Sequence, residues 1–367
     1  MAIDYNPLFE DVSKADLQIF RRQEKSAGGG AITIVIGVAA FALLAYFTIS
    51  MLFSELLGES RPERIAVIVG VASAVGVGGF FALRAIAQSA ARRRYRITKF
   101  ATRNGMLYST TVSTPQYPGA IFEVGRSRQV YERLWRHDAP PLDIGNYRYT
   151  TGSGKNKQTH LWSFLGLRLP RRLPHMLLDA KGNNSLFGSN LPVSFNKNQR
   201  LSLEGDFDRH FTLYCPREYE SDALYIFTPD LMALLIDEAA KLDVEIVDDW
   251  MFVYSRSKLD LANPHALAPL FNIVDTVGRK TSKRSERYAD DRVLGSQIAS
   301  DVAPLALDGS PQQSFDASTN GIAPRLSHNQ IAPRGLRLKQ QTPWLFFGIT
   351  AAIVVLWFAA RFITGAG

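Results

Sequence analysis

Between Ser26 and Ser54 the chain carries no charged side chain, and residues 31–53 read AITIVIGVAAFALLAYFTISMLF. A run of this kind matches the about 20 apolar residues that a helix needs to cross a hydrocarbon core. A second run, 65–83, is bracketed by Arg64 and Arg84, and a third begins at Pro343 and extends to 363. All three are expected to be transmembrane helices, because a helix satisfies its backbone polar groups within one segment. The first run is too long for a signal-peptide core and is expected to be retained.

The charge distribution orients these spans. The chain has 42 Lys and Arg against 34 Asp and Glu, a net charge of +8. Lys14, Arg21, Arg22 and Lys25 precede the first run, whereas the loop 54–64 balances Arg61 and Arg64 with Glu55, Glu59 and Glu63. Arg84, Arg92, Arg93, Arg94, Arg96, Lys99 and Arg103 follow the second run with no acidic residue among them. The positive-inside rule then places a segment 1–30 in the cytoplasm, the loop 54–64 outside and a basic juxtamembrane helix 84–104 inside. The expected localisation is the plasma membrane, multi-pass, with the main domain cytoplasmic and the C-terminus external. Arg92, Arg93, Arg94, Arg96 and Lys99 are candidate contacts for anionic lipid headgroups. Gly70, Ala74 and Gly78 recur every four residues, a spacing that admits a neighbouring helix or a second copy of the chain.

Beyond residue 104 the pattern changes to short alternating runs separated by turn residues. Residues 144–151 and 159–169 read as a hairpin whose tip is 152–157, followed by strands at 175–179, 201–203, 211–215 and 223–227. Thr228, Pro229 and Asp230 open a helix with an apolar stripe of Leu231, Leu234, Leu235, Ala239 and Leu242. Residues 244–247 and 250–255 read as a second hairpin about Asp248-Asp249, and 264–291 as helical. Strands grouped around one or two helices give an α+β domain over 105–291, with antiparallel hairpins, beside the three transmembrane helices. The stretch 292–342 is poor in aromatics and rich in Pro, Ser, Gln and Asn, the composition of a disordered linker.

No catalytic motif assembles. Gly152-Ser153-Gly154-Lys155 resembles the end of a phosphate loop, but Tyr149 stands where its first glycine belongs and Asn156 where the magnesium-binding hydroxyl belongs. Glu204, Asp206 and Asp208 read as an acidic turn. The single cysteine, Cys215, excludes an internal disulfide and any cysteine-built metal site, and it lies five residues from His210, on the opposite face of an extended strand. His137, His160 and His175 show no metal-ligand spacing. Arg168, Arg171 and Arg172 form a second basic cluster, whereas 216–260 holds eleven acidic and four basic residues. This asymmetry suits a charged partner or an anionic surface.

The runs 201–237 (LSLEGDFDRHFTLYCPREYESDALYIFTPDLMALLID) and 243–255 (DVEIVDDWMFVYS), with LPHMLLDAKGNN at 173–184 and RYADDRV at 287–293, resemble an uncharacterised family of bacterial, actinobacterial-type integral membrane proteins known only as a domain of unknown function. That resemblance implies no activity, cofactor or catalytic residue. The expected function is a non-enzymatic binding or scaffolding domain at the inner face of the membrane. Its partners are the membrane and an unidentified protein, without nucleic acid, cofactor or metal. Two alternatives are a membrane-bound hydrolase or transferase built from His175, His210 and Asp206, and an accessory subunit of a transport or envelope complex.

Overall fold

A computed structural model of the chain describes residues 2–26, 46, 50, 62–110, 112–114, 116–138, 140–184, 188–293 and 330–341. They fall into two units, one of 2–108 with 261–264 and one of 109–260 with the residues from 265 onward.

The first unit is helical. α1 (Asn6–Phe9) and α2 (Lys14–Ser26) pack along α3 (Pro62–Arg103). Ser13 starts α2: its hydroxyl accepts from the Asp16 N–H at 3.1 Å and donates to the Asp16 carboxylate at 2.7 Å, an acidic version of the capping box. Tyr5 stacks on Phe100 at 5.7 Å and Phe20 meets the edge of Tyr95 at 5.5 Å, over the buried Ile97 and Phe100.

Here the expected membrane architecture is corrected. Among the described residues no helix is long and apolar enough to cross a membrane. Residues 65–83 are one stretch of α3, whose side chains are described from Gly78 on. Of that run only residues 78–83 have described side chains, and Arg84 and six further basic residues up to Arg103 follow them. The runs 31–53 and 343–363 lie outside the described residues. Among the described residues three transmembrane helices and a multi-pass chain are therefore unsupported.

In sequence, β1 (Leu107–Ser109) spans the boundary between the units. The second unit is α+β, built on a large antiparallel sheet. β2 (Arg126–Arg136), β3 (Leu142–Thr151) and β4 (Gln158–Ala180) pair in succession, and the β3–β4 hairpin turns at Gly154–Asn156. β4 organises the sheet. One of its edges pairs first with β3 and then, from Leu177↔Tyr214 to Ala180↔Phe211, with β6 (Phe211–Tyr214), beyond which lies β5 (Arg200–Leu201). Its other edge pairs with β7 (Asp243–Ser255) from Ser163↔Ser255 to Leu178↔Val244. The separate strands expected at 159–169 and 175–179 are thus one strand of 23 residues.

Pro170 and Pro174 lack the N–H that a ladder needs, and the β4–β7 register shifts between Arg168 and Leu173 and again before Met176. On β7, Asp248 takes φ +54°, a left-handed conformation that aspartate tolerates better than most residues. The strand bends sharply there. Tyr254 Oη donates to Glu245 Oε2 at 2.7 Å, although nine residues of straight strand would separate them by about 30 Å. The hairpin expected at 244–247 and 250–255 is corrected accordingly: Asp248-Asp249 is a bend within one strand, and both arms pair with β4.

The bend encloses the core. Phe164, Phe252 and Tyr254 from one arm meet Leu177 and Val247 from the other, together with Phe122, Tyr147 and Trp162. Trp250, Phe252 and Tyr254 stack along one face of β7 at 5.4 and 5.7 Å. Gly166, opposite Phe252, leaves room for that ring, since a Cβ there would lie 3.0 Å from it.

Five helices accompany the later strands: α4 (Phe207–His210) between β5 and β6, α5 (Glu220–Ile226) and α6 (Pro229–Ala239) between β6 and β7, and α7 (Pro264–Ile273) and α8 (Arg279–Ser285) after β7, the last two joined by a π turn. The strand expected at 223–227 is therefore α5, in which Ala223 and Ile226 are buried at helical rather than strand spacing. At the far end of the expected linker 292–342, residues 330–341 are placed against the sheet unit, with Ile331 and Leu338 buried. Residues 294–329 lie outside the described residues.

Phe122 touches five aromatic rings at 4.9 to 6.1 Å, so Phe122→Ala opens a cavity that its neighbours cannot close. The expected loss is about 3–5 kcal/mol, read from the urea midpoint of tryptophan fluorescence; a midpoint unchanged from wild type would contradict this packing.

Candidate functional site

The bend carries polar side chains from β4 and β7 into the interior. His175 is 4% exposed and Glu245 is fully buried. Glu245 accepts from the Ala120 N–H at 2.9 Å, from Tyr254 Oη at 2.7 Å and from His175 Nε2 at 2.7 Å. The Leu338 N–H donates to His175 Nδ1 at 3.0 Å, which assigns the ring hydrogen to Nε2. Burial, reinforced by the Glu245 charge, raises the Tyr254 hydroxyl well above its ordinary pKa and keeps it a donor.

Leu338 belongs to a strap, residues 330–341, that runs through the mouth of this centre. Gln199 reads the strap backbone in both directions: Oε1 accepts from the Lys339 N–H and Nε2 donates to the Lys339 carbonyl, each at 2.9 Å. The Asn196 N–H donates to the same carbonyl at 3.0 Å, and Phe195 and Gln340 form an antiparallel bridge. Arg337 grips the Asp248 carboxylate with both terminal nitrogens, at 3.2 and 2.9 Å, and Arg334 reaches Glu218 at 3.0 Å. The Ala332 N–H donates to Asp290, which also accepts from Tyr219 Oη at 2.7 Å and pairs with Arg292. Burial works to raise the Asp290 pKa, but these donors prevail and hold it below the ordinary range. Arg292 stacks over Tyr219 at 4.2 Å and pairs with Asp222 at 2.8 Å, while Tyr288 Oη donates to Asp222. Gly335 lies against the Tyr219 ring so closely that a Cβ would come within 2.5 Å. A cavity of about 540 Å³ remains along the strap, lined by Asn196, Gln199 and Glu218 on the domain side.

A second polar centre lies one step beyond the last ladder pair, Leu178↔Val244, where Asp179 of β4 comes beside Asp243 of β7. Burial and the neighbouring Asp179 charge push the Asp243 carboxyl from 3.8 up to about 7, against the Ala180 N–H that it accepts.

The residues expected to form sites are dispersed. Arg96 donates to the Glu10 carbonyl at 2.9 Å and Lys99 pairs with the Glu10 carboxylate, so two of the five expected headgroup contacts are engaged by the N-terminal segment. Arg92 is exposed, and Arg93 and Arg94 are half-buried. Among the described residues no atom lies within 4 Å of where a Cβ at Gly78 would stand. Gly70 and Ala74 lie in the part of α3 whose side chains are outside the described residues. Asp206 and His210 approach to 4.0 Å at the surface, and among the described residues no hydrogen bond or ion pair joins either to His175. Asp208 is held by the Leu203 N–H and the Ser202 hydroxyl, as an acidic turn requires. Arg168 pairs with Asp249 at 2.7 Å and Arg171 donates to the Tyr288 carbonyl. Among the described residues no group of three His, Cys, Asp or Glu could hold a metal.

Sequence reasoning missed Gln199, Glu245, Asp290 and the Asp179–Asp243 pair. The available signal was DVEIV at 243–247, where carboxylates alternate with valine and isoleucine inside a strand. The four stretches that carried the family resemblance meet here: His175 and Asp179, Tyr219 and Asp222, Glu245 and Asp248, Tyr288 to Arg292. Comparisons with protein-family models, curated proteins and solved structures return no match, so that resemblance rests on those residues alone.

His175→Ala leaves the Leu338 N–H without its acceptor, and exchange protection of that amide should fall about tenfold or more while the Ala180 amide keeps its own. Equal protection in both proteins would remove His175 from the strap contact. Cys215 is 1% exposed and burial raises its thiol to about 12, from 9.0 in the unfolded chain. The native thiol should resist iodoacetamide at about pH 8, and its contribution to stability, present below pH 9.0, should disappear as pH rises toward about 12; labelling of the native chain at the denatured rate would contradict the burial.

Proposed function

We propose that the sheet unit is a non-enzymatic binding module that holds an extended, arginine-bearing peptide beside β5, and that residues 330–341 are its occupant in the chain itself. The observation that carries this reading is the pairing of Gln199 with both the N–H and the carbonyl of Lys339. Contacts to backbone supply sequence-tolerant affinity, as when a peptide strand joins a sheet edge. Selectivity then comes from side chains: Asp248 and Glu218 select arginines three residues apart, a buried position takes Leu338, and the Tyr219 ring demands glycine at 335.

The hydrolase or transferase reading lacks support in this geometry. Both ring nitrogens of His175 are taken by protein groups, which leaves none to move a proton to or from a substrate.

The test uses a labelled peptide of sequence QIAPRGLRLKQQ, that of residues 330–341, added to the full chain. In the variant Arg334→Glu with Arg337→Glu the strap is repelled by Glu218 and Asp248, and the peptide should bind about tenfold or more tightly than to wild type, whose groove is filled. A peptide with alanine at the glycine position should bind about tenfold more weakly. Equal binding to variant and wild type, or indifference to the alanine, would refute the module.

A further inference from the structure

The strap leaves a cavity of about 540 Å³ between itself and the domain, within the range of about 300–1,000 Å³ that small-ligand pockets occupy. Its charge is one-sided. Arg334, Arg337 and Lys339 line it from the strap and Arg217 lines it from the domain, against a single acid in the lining, Glu218. Asp248, which holds Arg337, is the second carboxylate set against these four cations. Cations gathered on one cavity repel one another, and an anion between them removes that repulsion.

The four cations are unequally engaged. Arg337 uses both terminal nitrogens on Asp248, and one of them also on the Leu336 carbonyl. Arg334 gives only Nη1 to Glu218, at 3.0 Å, which leaves the N–H groups of Nη2 and Nε. Arg217 and Lys339 are exposed, and among the described residues neither side chain makes an ion pair or a hydrogen bond. Free cationic donors thus border one space from both of its walls, one on the domain and two on the strap.

We propose that the strap cavity binds a small soluble ligand carrying two or more phosphate groups, and that this ligand clamps the strap in place. Guanidinium forks and an ammonium group are the donors that recognise phosphate. The cavity is larger than one phosphate and its free cations come from both walls, so linked phosphates bridge them. The clamp follows from where the donors lie. Lys339 and Arg334 belong to the strap and Arg217 and Asn198 to the domain, so the full donor set exists only while the strap is seated. A ligand that binds one of two states better shifts the equilibrium toward that state. The pairs with Glu218 and Asp248 stay closed, because the ligand takes donors that those pairs leave unused. The consequence, a groove kept shut to an outside peptide, rests on the peptide-binding reading; the ligand site rests on the cavity alone.

The probe is sodium pyrophosphate, titrated into the full chain at constant ionic strength and followed by calorimetry and by hydrogen exchange. Wild type should bind one equivalent. At about a hundredfold excess over the Kd, exchange of the Leu338 amide, which opens when the strap leaves, should slow about a hundredfold. Arg217→Ala and Lys339→Ala change exposed side chains that make no ion pair or hydrogen bond, so each should fold as wild type does and bind pyrophosphate about tenfold or more weakly. The site is overturned if wild type shows neither heat nor slowed exchange up to about 10 mM pyrophosphate, beyond millimolar affinity, or if both variants bind as wild type does. Faster exchange of Leu338 overturns the clamp, since the anion would then be drawing the arginines away from Glu218 and Asp248. Binding to phosphatidylcholine vesicles that contain phosphatidic acid, without any response to free pyrophosphate, overturns it as well and assigns the same cations to a lipid surface. None of these readouts uses an added peptide, so failure of the labelled peptide to bind and failure of the ligand site are separate results.

Discussion

β7 bends sharply at Asp248, and the sheet unit is organised around that bend. Two prolines on β4, Pro170 and Pro174, have no N–H to give the ladder, and the register slips opposite them. Aspartate at φ +54° turns the neighbouring strand through the gap. Because pairing with β4 continues on both sides, the two arms of the sheet are brought face to face without a break in the chain. Glu245 and Tyr254, nine residues apart, can then share a hydrogen bond, and rings from one arm can pack on aliphatic side chains from the other.

The interior created this way holds two polar centres of opposite character. Around His175 and Glu245 the donors and acceptors are matched: both carboxylate oxygens are used, both ring nitrogens are used, and a backbone N–H from the strap completes the set. A network satisfied throughout holds one arrangement firmly, and it makes the seating of residue 338 part of the fold. Around Asp179 and Asp243 the matching is poorer: two carboxyls lie side by side, and the Ala180 N–H and Asn183 serve Asp243 while Asn184 and Ser189 serve Asp179. Two buried carboxylate sites on the same pair of strands thus differ in charge: Glu245 faces donors only, whereas Asp243 faces a second carboxyl, which with burial raises its pKa.

Much of the local structure was legible in the residues. The β3–β4 hairpin follows from alternation on either side of Gly152 to Lys157, and α6 from Thr228-Pro229-Asp230 ahead of an apolar stripe. Where the reading failed, the competing signal was local and the deciding one was not. Asp248-Asp249 has the composition of a hairpin turn, but β7 finds its partner on β4, about eighty residues earlier. Residues 223–227 are rich in strand formers, yet burial of Ala223 with Ile226 selects a helix. The composition of 330–341 matches a linker, and nothing local announces that Gln199, His175 and Asp248 will hold it.

Sequence by itself determined the features that depend on neighbours in the chain: the apolar and basic segments, the periodicities, the absence of a disulfide, and an α+β unit with antiparallel hairpins. It could not decide whether an apolar run crosses a bilayer, and among the described residues no helix has the uninterrupted length to do so. Tertiary structure alone decided which charged residues are buried, because a carboxylate in a strand has the same local signature whether it faces water or the core. Glu245 and Asp243 acquire their character from groups distant in sequence, Ala120 and His175 in one case and Asp179 and Asn183 in the other. Those approaches are set by the bend at Asp248, a property of two paired strands rather than of either one.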